Sequence, residues 1–294
     1  MFYFLSLLMG ILISIMVAFN GGLTSEYGVY SATVIIHIVG LILIAAVVLA
    51  KKERFFPGRF AWFLYLGGAI GVLTTVFNNF SFGRISVSAI LALGLLGQAI
   101  AGIAIDQYGL LGMQKHPFAK HKFIGLALIL AGIGAMINSF EIIAITVSFI
   151  AGVNIVMSRT FNAKLSDLTS VRVSTFYNYF IGLIVSLLVF VLLGRGEIVF
   201  AEFALSPSWY IYLGGVLGVT VVLLGNIVVV KISAFYLTLL IFIGQVFTGV
   251  LIDAVITQSV SARNVIGGIL VAAGLSINLV LDSRRKALNN VDSN

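Results

Sequence analysis

The chain of 294 residues is 61% hydrophobic and only 9% charged, and its mean hydropathy is +1.17. A water-soluble domain of this size could not bury so much apolar surface, so the composition indicates a polytopic membrane protein. The net charge of +7 would suggest a nucleic-acid partner in a soluble protein; here we attribute it to membrane topology and expect no nucleic acid to bind.

Apolar runs of about 20 residues, separated by short polar segments, predict helices because a span must satisfy its own backbone hydrogen bonds. The ten-residue alternation of a membrane β-barrel is absent. Ten apolar runs follow one another, at 2–19, 29–50, 61–82, 85–105, 123–139, 142–158, 173–193, 209–230, 233–252 and 265–281. We therefore predict an all-α polytopic membrane protein with ten transmembrane helices.

Lysine and arginine are distributed unevenly between the two sets of loops. Fourteen of the 17 lie on the side of the N-terminus, and the other side has only Arg84, Arg195 and Arg263. The positive-inside rule therefore predicts that both termini are cytoplasmic. The basic run at 115–122 is most simply a topology anchor, and contact with anionic membrane lipids is a secondary use.

An internal repeat divides the chain into 1–140, 141–282 and a cytoplasmic tail at 283–294. Matched residues lie 142 positions apart near the ends of the repeated unit and 147 apart in its middle. They include Gly10, Asn20 and Gly40 with Gly152, Asn162 and Gly182; Gly67, Gly71 and Asn79 with Gly214, Gly218 and Asn226; and Gly125 and Gly132 with Gly267 and Gly274. Five spans per copy predict that the second copy is inverted, which is an architecture of alternating-access transporters.

A glutamine motif stands out in both copies. Gly97-Gln98 is followed by Asp106, and Gly244-Gln245 is followed by Asp253 at the same spacing. A hydrophobic helix has no need of a matched glutamine unless something polar lies beside it. Two interpretations stay open: the glutamines are amide ligands that line a cavity, or they form interhelical hydrogen bonds that join the repeats.

The five-plus-five arrangement resembles the drug/metabolite transporter superfamily, and the motifs resemble its YdcZ-type family of bacterial proteins. The carrying motifs are G-x9-N-x2-L (Gly10, Asn20, Leu23; Gly152, Asn162, Leu165), Tyr-Leu-Gly-Gly-x2-Gly (65–71 and 212–218) and G-Q-x7-D. Where the family tends to place a glutamine three residues before the asparagine, this chain has Val17 and Arg159. The resemblance implies the fold and a bacterial inner-membrane location, but it supplies no substrate.

Further polar residues within the spans are candidates for a substrate pathway. His37 is also a candidate proton carrier, since a titratable group at that depth is a functional candidate by default. Alternatively, His37 is neutral and its ring donates a hydrogen bond to a neighbouring carbonyl. Together with Gln98 and Gln245, the candidate substrate-binding residues are Asn79, Asn226, Asn154, His37, Asn178 and Tyr179.

Three charged residues are candidates for gating or coupling. Asp106 and Asp253 end their helices, where the dipole disfavours an anion. We therefore expect a basic partner, such as Lys115 or Arg263, in a gate or in an interfacial anchor. Arg159, at the predicted end of the sixth span, binds an anionic substrate or snorkels to the interface. Asn20 and Asn162, at the predicted ends of the first spans, cap a helix or line a vestibule.

The sequence thus predicts a carrier of a small organic metabolite or xenobiotic in the bacterial inner membrane. The alternative is a non-transporting membrane protein that handles lipid or assists assembly. The P-loop, zinc-protease, serine-hydrolase and dinucleotide motifs are absent, so we expect no enzymatic activity and no cofactor. A monomer is the default because two fused repeats make a complete pathway, although a homodimer stays open.

Overall fold

The computed structural model describes residues 2–56, 58–108, 122–137, 141–197, 204–228 and 234–291. Within these ranges the chain forms ten α-helices and no β-strand, which confirms the all-helical prediction. The helices are α1 (Phe2–Tyr27), α2 (Val29–Ala50), α3 (Leu66–Ser81), α4 (Val87–Tyr108), α5 (Lys122–Met136), α6 (Ile142–Leu168), α7 (Val171–Leu193), α8 (Gly214–Val228), α9 (Ala234–Thr257) and α10 (Ala262–Val291). One turn of 3₁₀ helix precedes α3 and another precedes α8.

Within the residues that the structure describes, seven helical segments are long and apolar enough to cross a bilayer by length and composition. They belong to α1, α2, α3, α4, α6, α7 and α9. The apolar parts described for the other helices are shorter, at Phe123–Met136, Trp209–Gly225 and Ala262–Asn278. The chain is thus a helical membrane protein, and the number of ten spans stays a prediction.

Three helices continue well beyond the apolar runs that predicted them, and one of these is α10, which ends at Val291 rather than at residue 281. α1 ends at Tyr27 rather than at residue 19, and α6 ends at Leu168 rather than at residue 158. Asn20 and Asn162 therefore lie inside helices, and the prediction that they cap helix ends was wrong. The end of an apolar run marks where lipid contact ends. The helix itself continues through polar residues because each added residue forms a further backbone hydrogen bond.

The two halves of the chain interlock, and most pairings across them have an equivalent. α1 packs on α9 as α6 packs on α4, and α1 packs on α8 as α6 packs on α3. α2 packs on α8 as α7 packs on α3. Three further pairs join a helix to its own counterpart, α2 to α7, α4 to α9 and α5 to α10, and α4 also contacts α10. The most extensive helix contacts are therefore made between the halves and not within them.

The largest apolar cluster lies between α4, α5, α9 and α10. Ile90, Met136 and Phe242 are fully buried in it. Glycines let α5 and α10 approach closely, since Gly125 lies against Gly274 and Gly132 lies against Gly267.

Candidate functional site

The matched glycines form two equivalent helix crossings. At the α1–α9 crossing, a Cβ on Gly10 would overlap the carbonyl oxygen of Ile241. At the α4–α6 crossing, a Cβ on Gly152 would overlap the carbonyl oxygen of Gly94. Both obstacles are backbone atoms, which cannot swing aside. The repeated glycines therefore fix the contact between the two halves at main-chain distance.

The two repeated glutamines lie at these two crossings, on different helices, and their environments differ. Gln98 is half-buried, and its Nε2 donates to the carbonyl of Gly94 in its own helix at 3.4 Å. Gln245 is buried, and its Oε1 has no hydrogen-bond partner among the described residues. Ser14 donates instead to the main-chain carbonyl of Gln245 at 2.8 Å. An unpaired buried amide oxygen is a costly feature, and a ligand that donates a hydrogen bond would satisfy it.

Asp253 caps a helix of the other half. Its carboxylate accepts from the backbone nitrogens of Val87 at 2.7 Å and Ser88 at 2.9 Å, and from the Ser88 hydroxyl. Asn264 Nδ2 donates to it at 3.2 Å. Among the described residues its partners are these donors and not the basic side chain that we expected. The carboxylate thus interacts favourably with the positive end of the α4 dipole. This attraction, with the hydrogen bonds, outweighs the unfavourable effect of the negative end of the α9 dipole nearby.

The structure tests three other candidates, Asp106, Asn226 and Arg159, only in part. The side chains of Asp106 and Asn226 lie outside the described part of the structure, and so does Lys115, the expected partner of Asp106. Arg159 lies inside α6, nine residues before Leu168, rather than at the helix end. Its side chain is exposed.

Sequence reasoning missed two glutamates that also join the halves. Glu197, after α7, accepts from the backbone nitrogens of Tyr30 and Ser31 at the start of α2. Glu53, after α2, accepts from the Ser170 hydroxyl at 2.6 Å and from the Arg172 guanidinium at the start of α7. Each glutamate follows the second helix of one half and holds the first turn of the second helix of the other. Their position in matched loops was the available signal, but the repeat offset changes there.

The hydrogen bonds from Arg172 and Ser170 hold the pKa of Glu53 below its usual range, against the opposing effect of partial burial. A carboxylate with a lowered folded pKa stabilises the protein above its unfolded pKa of about 4.3 and loses that contribution as the pH falls through the folded pKa. We expect Glu53→Gln to lower the melting temperature above about pH 5 and the gap from the unmodified protein to close below about pH 4. Arg172→Gln should give the same profile; a gap that is independent of pH would contradict this role.

His37 and Tyr179 are equivalent residues that meet where α2 and α7 cross. Their ring centroids lie 5.8 Å apart, and both side chains are buried. The His37 ring fills the space beside Gly182, and the Tyr179 ring fills the space beside Gly40. His37 Nδ1 lies 2.7 Å from the carbonyl of Thr33. A neutral ring must donate from Nδ1 there, so Nε2 is left as the acceptor.

Asn178 belongs to a polar network between α3, α6 and α7. Its Oδ1 accepts from Asn162 Nδ2 at 2.9 Å. Ser158, which also accepts weakly from Asn162, donates to the carbonyl of Gly67 at 2.7 Å. The equivalent Asn20 has a buried Oδ1 without a partner in the described part of the chain. Met16 and Ile36 occupy the places of Ser158 and Asn178, so the two acceptors of Asn162 Nδ2 have no counterpart beside Asn20.

Two further predicted residues are buried amides. Asn79 Nδ2 donates to the Thr33 hydroxyl at 3.3 Å and so joins α3 to α2. Asn154 in α6 has a buried Nδ2 without a hydrogen-bond partner among the described residues. Asn79 therefore has a structural partner, whereas Asn154 keeps a free donor. The predicted substrate-binding residues thus lie at several helix crossings, and only neighbouring members such as His37 and Tyr179 are in contact.

Comparison with known proteins shows to which family this helical architecture belongs. The model of one family, DMT_YdcZ, described as "Putative inner membrane exporter, YdcZ", matches the chain twice, at residues 1–135 and 143–277. The chain belongs to the YdcZ family. It is therefore a transmembrane transporter of the drug/metabolite type, as its motifs predicted, and an inner-membrane protein.

Solved structures share the fold of this YdcZ-family transporter. Fourteen of their chains match. One, described as "Crystal structure of protein", is 15% identical, covers 96% of each chain and has a TM-score of 0.62. No curated protein matches the sequence. At this identity the likeness concerns the fold alone.

Proposed function

We propose that this YdcZ-family chain is an alternating-access exporter that moves a small organic metabolite or xenobiotic out of the cytoplasm. Its two five-helix repeats, 1–140 and 141–282, rock against each other around a site between them. The tail at 283–294 and both termini are cytoplasmic. The protein works as a monomer among membrane lipids, without a cofactor.

The proposal is carried by the antiparallel pairing of equivalent helices. Gly125 lies against Gly274 and Gly132 against Gly267, so α5 and α10 run in opposite directions. α2 and α7 do the same, since His37 lies against Gly182 and Gly40 against Tyr179. A helix that is antiparallel to its own counterpart is expected when one repeat is inverted relative to the other. Inverted repeats with a site at their interface are typical of secondary transporters.

The pathway that we propose follows the polar residues between the repeats. Unsatisfied amide groups on Gln245 and Asn154 and the acceptor Nε2 of His37 support a substrate that forms hydrogen bonds. Gln98, Asn79, Asn178, Tyr179 and Asn226 complete the proposed substrate-binding set. Asp106, Asp253 and Arg159 are proposed to act in gating or coupling, and the cap that Asp253 forms on α4 gives that carboxylate a contact to break when the halves move apart.

A ligand screen followed by flux measurement tests the function. Thermal unfolding of the purified protein is recorded with metabolites, amines, sugars and amphipathic cations. A compound at 100 times its dissociation constant should stabilise the fold by about 2.7 kcal/mol if it binds only the folded state. Compounds that stabilise the protein should then cross proteoliposome membranes faster than in protein-free vesicles, and Gln98→Ala/Gln245→Ala should slow them. Binding without flux would instead support the non-transporting alternative.

The absence of cysteine makes the topology testable by thiol labelling. We expect Arg54→Cys, after α2, to be protected from a membrane-impermeant maleimide in intact spheroplasts, because that loop is predicted to be cytoplasmic. Arg195→Cys, after α7, should be labelled from outside. Reversed labelling would contradict the orientation, and equal labelling of both sites would contradict an odd number of spans between them.

A further inference from the structure

The equivalent helices α3 and α8 present different surfaces to the interior. α3 lies against α6 and α7, and α8 lies against α1 and α2. Gly71, Thr75 and Asn78 share one face of α3 because they are spaced by four and three residues. The matched residues of α8 are Gly218, Val222 and Gly225. A polar face in one repeat thus corresponds to an apolar face in the other.

The α3 face adjoins a set of fixed polar atoms. Among the described residues, a Cβ on Gly71 would make ordinary van der Waals contacts with Asn178 Oδ1 at 3.7 Å and Ser158 Oγ at 3.8 Å, so a group of methyl size fits between this glycine and the two polar atoms. Asn162 and the carbonyl of Gly67 hold these two groups in place. The amide of Asn78, which is half-buried, makes no side-chain hydrogen bond to the described residues. We call Gly71, Asn78, Ser158 and Asn178 the polar wall.

The α8 face is lined by apolar groups and, at Gly218, also by the hydroxyl of Tyr179. A Cβ on Gly225 would lie 3.2 Å from Met9 Cε, and one on Gly218 would overlap the Tyr179 hydroxyl and lie 3.5 Å from Met16 Sδ. Val222 lies between these glycines, about one helical turn from each. Methionine adapts its shape to varied apolar surfaces. We call Met9, Met16 and Val222 the apolar wall.

The two walls meet at α7. Asn178 faces Gly71 on α3, and the next residue, Tyr179, places its hydroxyl beside Gly218 on α8. A molecule that spans this junction therefore contacts amide and hydroxyl groups at one end and thioether and alkyl groups at the other. No carboxylate or ammonium group belongs to either wall. A buried charge would therefore lack a partner, which is costly.

From these contacts we propose that the transported molecule is an uncharged amphiphile, with a head that both donates and accepts hydrogen bonds at the polar wall and an alkyl or aryl body on the apolar wall. This inference rests on the proposed transport function and specifies its substrate class. Arg159 follows Ser158 in α6 but lies about 100° around the helix from it. An anionic head is therefore the competing case that the experiment must address.

A matched series of eight-carbon compounds tests the class. Octanamide, octylammonium and octanoate share a chain and differ in head-group charge at pH 7, and acetamide has the head without the chain. Binding to the protein in lipid nanodiscs is measured by thermal shift and titration calorimetry, with empty nanodiscs as the partition control. Octanamide should bind most tightly, and acetamide should not bind measurably. Tighter binding of octanoate or octylammonium would overturn the proposal.

Variants on each wall assign the two ends of the ligand. Asn78→Leu should weaken octanamide about tenfold without breaking a bond within the described structure. Val222→Ser should reduce the gain in affinity from hexanamide to octanamide. Thr220→Val is the matched control, because its hydroxyl bonds to Val216 in its own helix and it lies about 200° around α8 from Gly218. Unchanged octanamide affinity in Asn78→Leu and Asn178→Leu would overturn the proposal.

Flux data separate the failure of this inference from the failure of the transport function. If screened compounds cross the vesicle membrane through the protein but none is an uncharged amphiphile, the substrate class is wrong and the transport function stands. If octanamide binds at the walls but no compound is moved, the site stands and the transport function is wrong.

Discussion

Gly97→Ala is expected to destabilise the folded protein by about 2 kcal/mol, in the range that overpacking costs. A Cβ at this position would overlap the carbonyl oxygen of Phe149, and the Cα of Gly152 lies 3.1 Å from the same point. Both are backbone atoms of α6, so the whole helix must move to make room. The shift would separate the α4–α6 crossing and, with it, the two halves of the chain.

Gly102→Ala is the matched control in the same helix. A Cβ on Gly102 has no heavy atom within 4 Å among the described residues. The substitution should therefore be neutral or stabilising, since alanine favours a helix over glycine by up to about 1 kcal/mol. Unfolding in mixed detergent micelles, followed by circular dichroism, measures both variants. Equal stability of the two would contradict the close crossing.

Asp253→Ala is expected to cost about 2–3 kcal/mol of folding stability. The loss of a helix cap costs about 1–2 kcal/mol, and donors on Ser88 and Asn264 are left buried without their acceptor, which adds to the loss. Asp253→Asn should be intermediate, because an amide oxygen can still accept from Val87 but the amide nitrogen faces a second donor at Ser88. The same unfolding measurement applies.

Asp167→Ala provides the control for removing an acidic residue near the end of a helix. Asp167 is exposed near the C-terminus of α6. Its removal should be neutral or slightly stabilising, since an anion is disfavoured at that end. If Asp253→Ala were as stable as Asp167→Ala, the capping role of Asp253 would be wrong. If Asp253→Asn folded well but transported poorly, the carboxylate would have a separate role in gating.

The sequence predicted the order of the ten helices in the described part of the chain because each apolar run is bounded by polar residues. The prediction for α2 matches its residues 29–50. It failed at the ends of α1 and α6, where the helix continues past Asn20 and Asn162. An apolar run marks the part of a helix that contacts lipid. It does not show how far the helix continues into the polar residues that follow.

The candidate site was predicted in its residue types but not in its partners. Tyr179 is a candidate because it matches His37 in the repeat, and Asn178 because it lies next to Tyr179 in the chain. Nothing in the sequence places Asn178 beside Ser158, or the Tyr179 ring beside the His37 ring. Ser158 was overlooked because serine is common at helix contacts, and only its alignment with Met16 marks the polar difference between the repeats.

Composition and hydropathy determined by themselves that this is a helical membrane protein, because burial in lipid permits few backbone structures. The resemblance of its repeated motifs indicated the YdcZ family, which the family model confirmed. The tertiary structure decided which polar residues are satisfied. Asp253 and Glu197 became caps of helices in the other half, while Gln245 and Asn154 kept free groups. That outcome depends on which residues meet across the two halves, and contacts between residues so far apart in the chain cannot be read from the local pattern of a sequence.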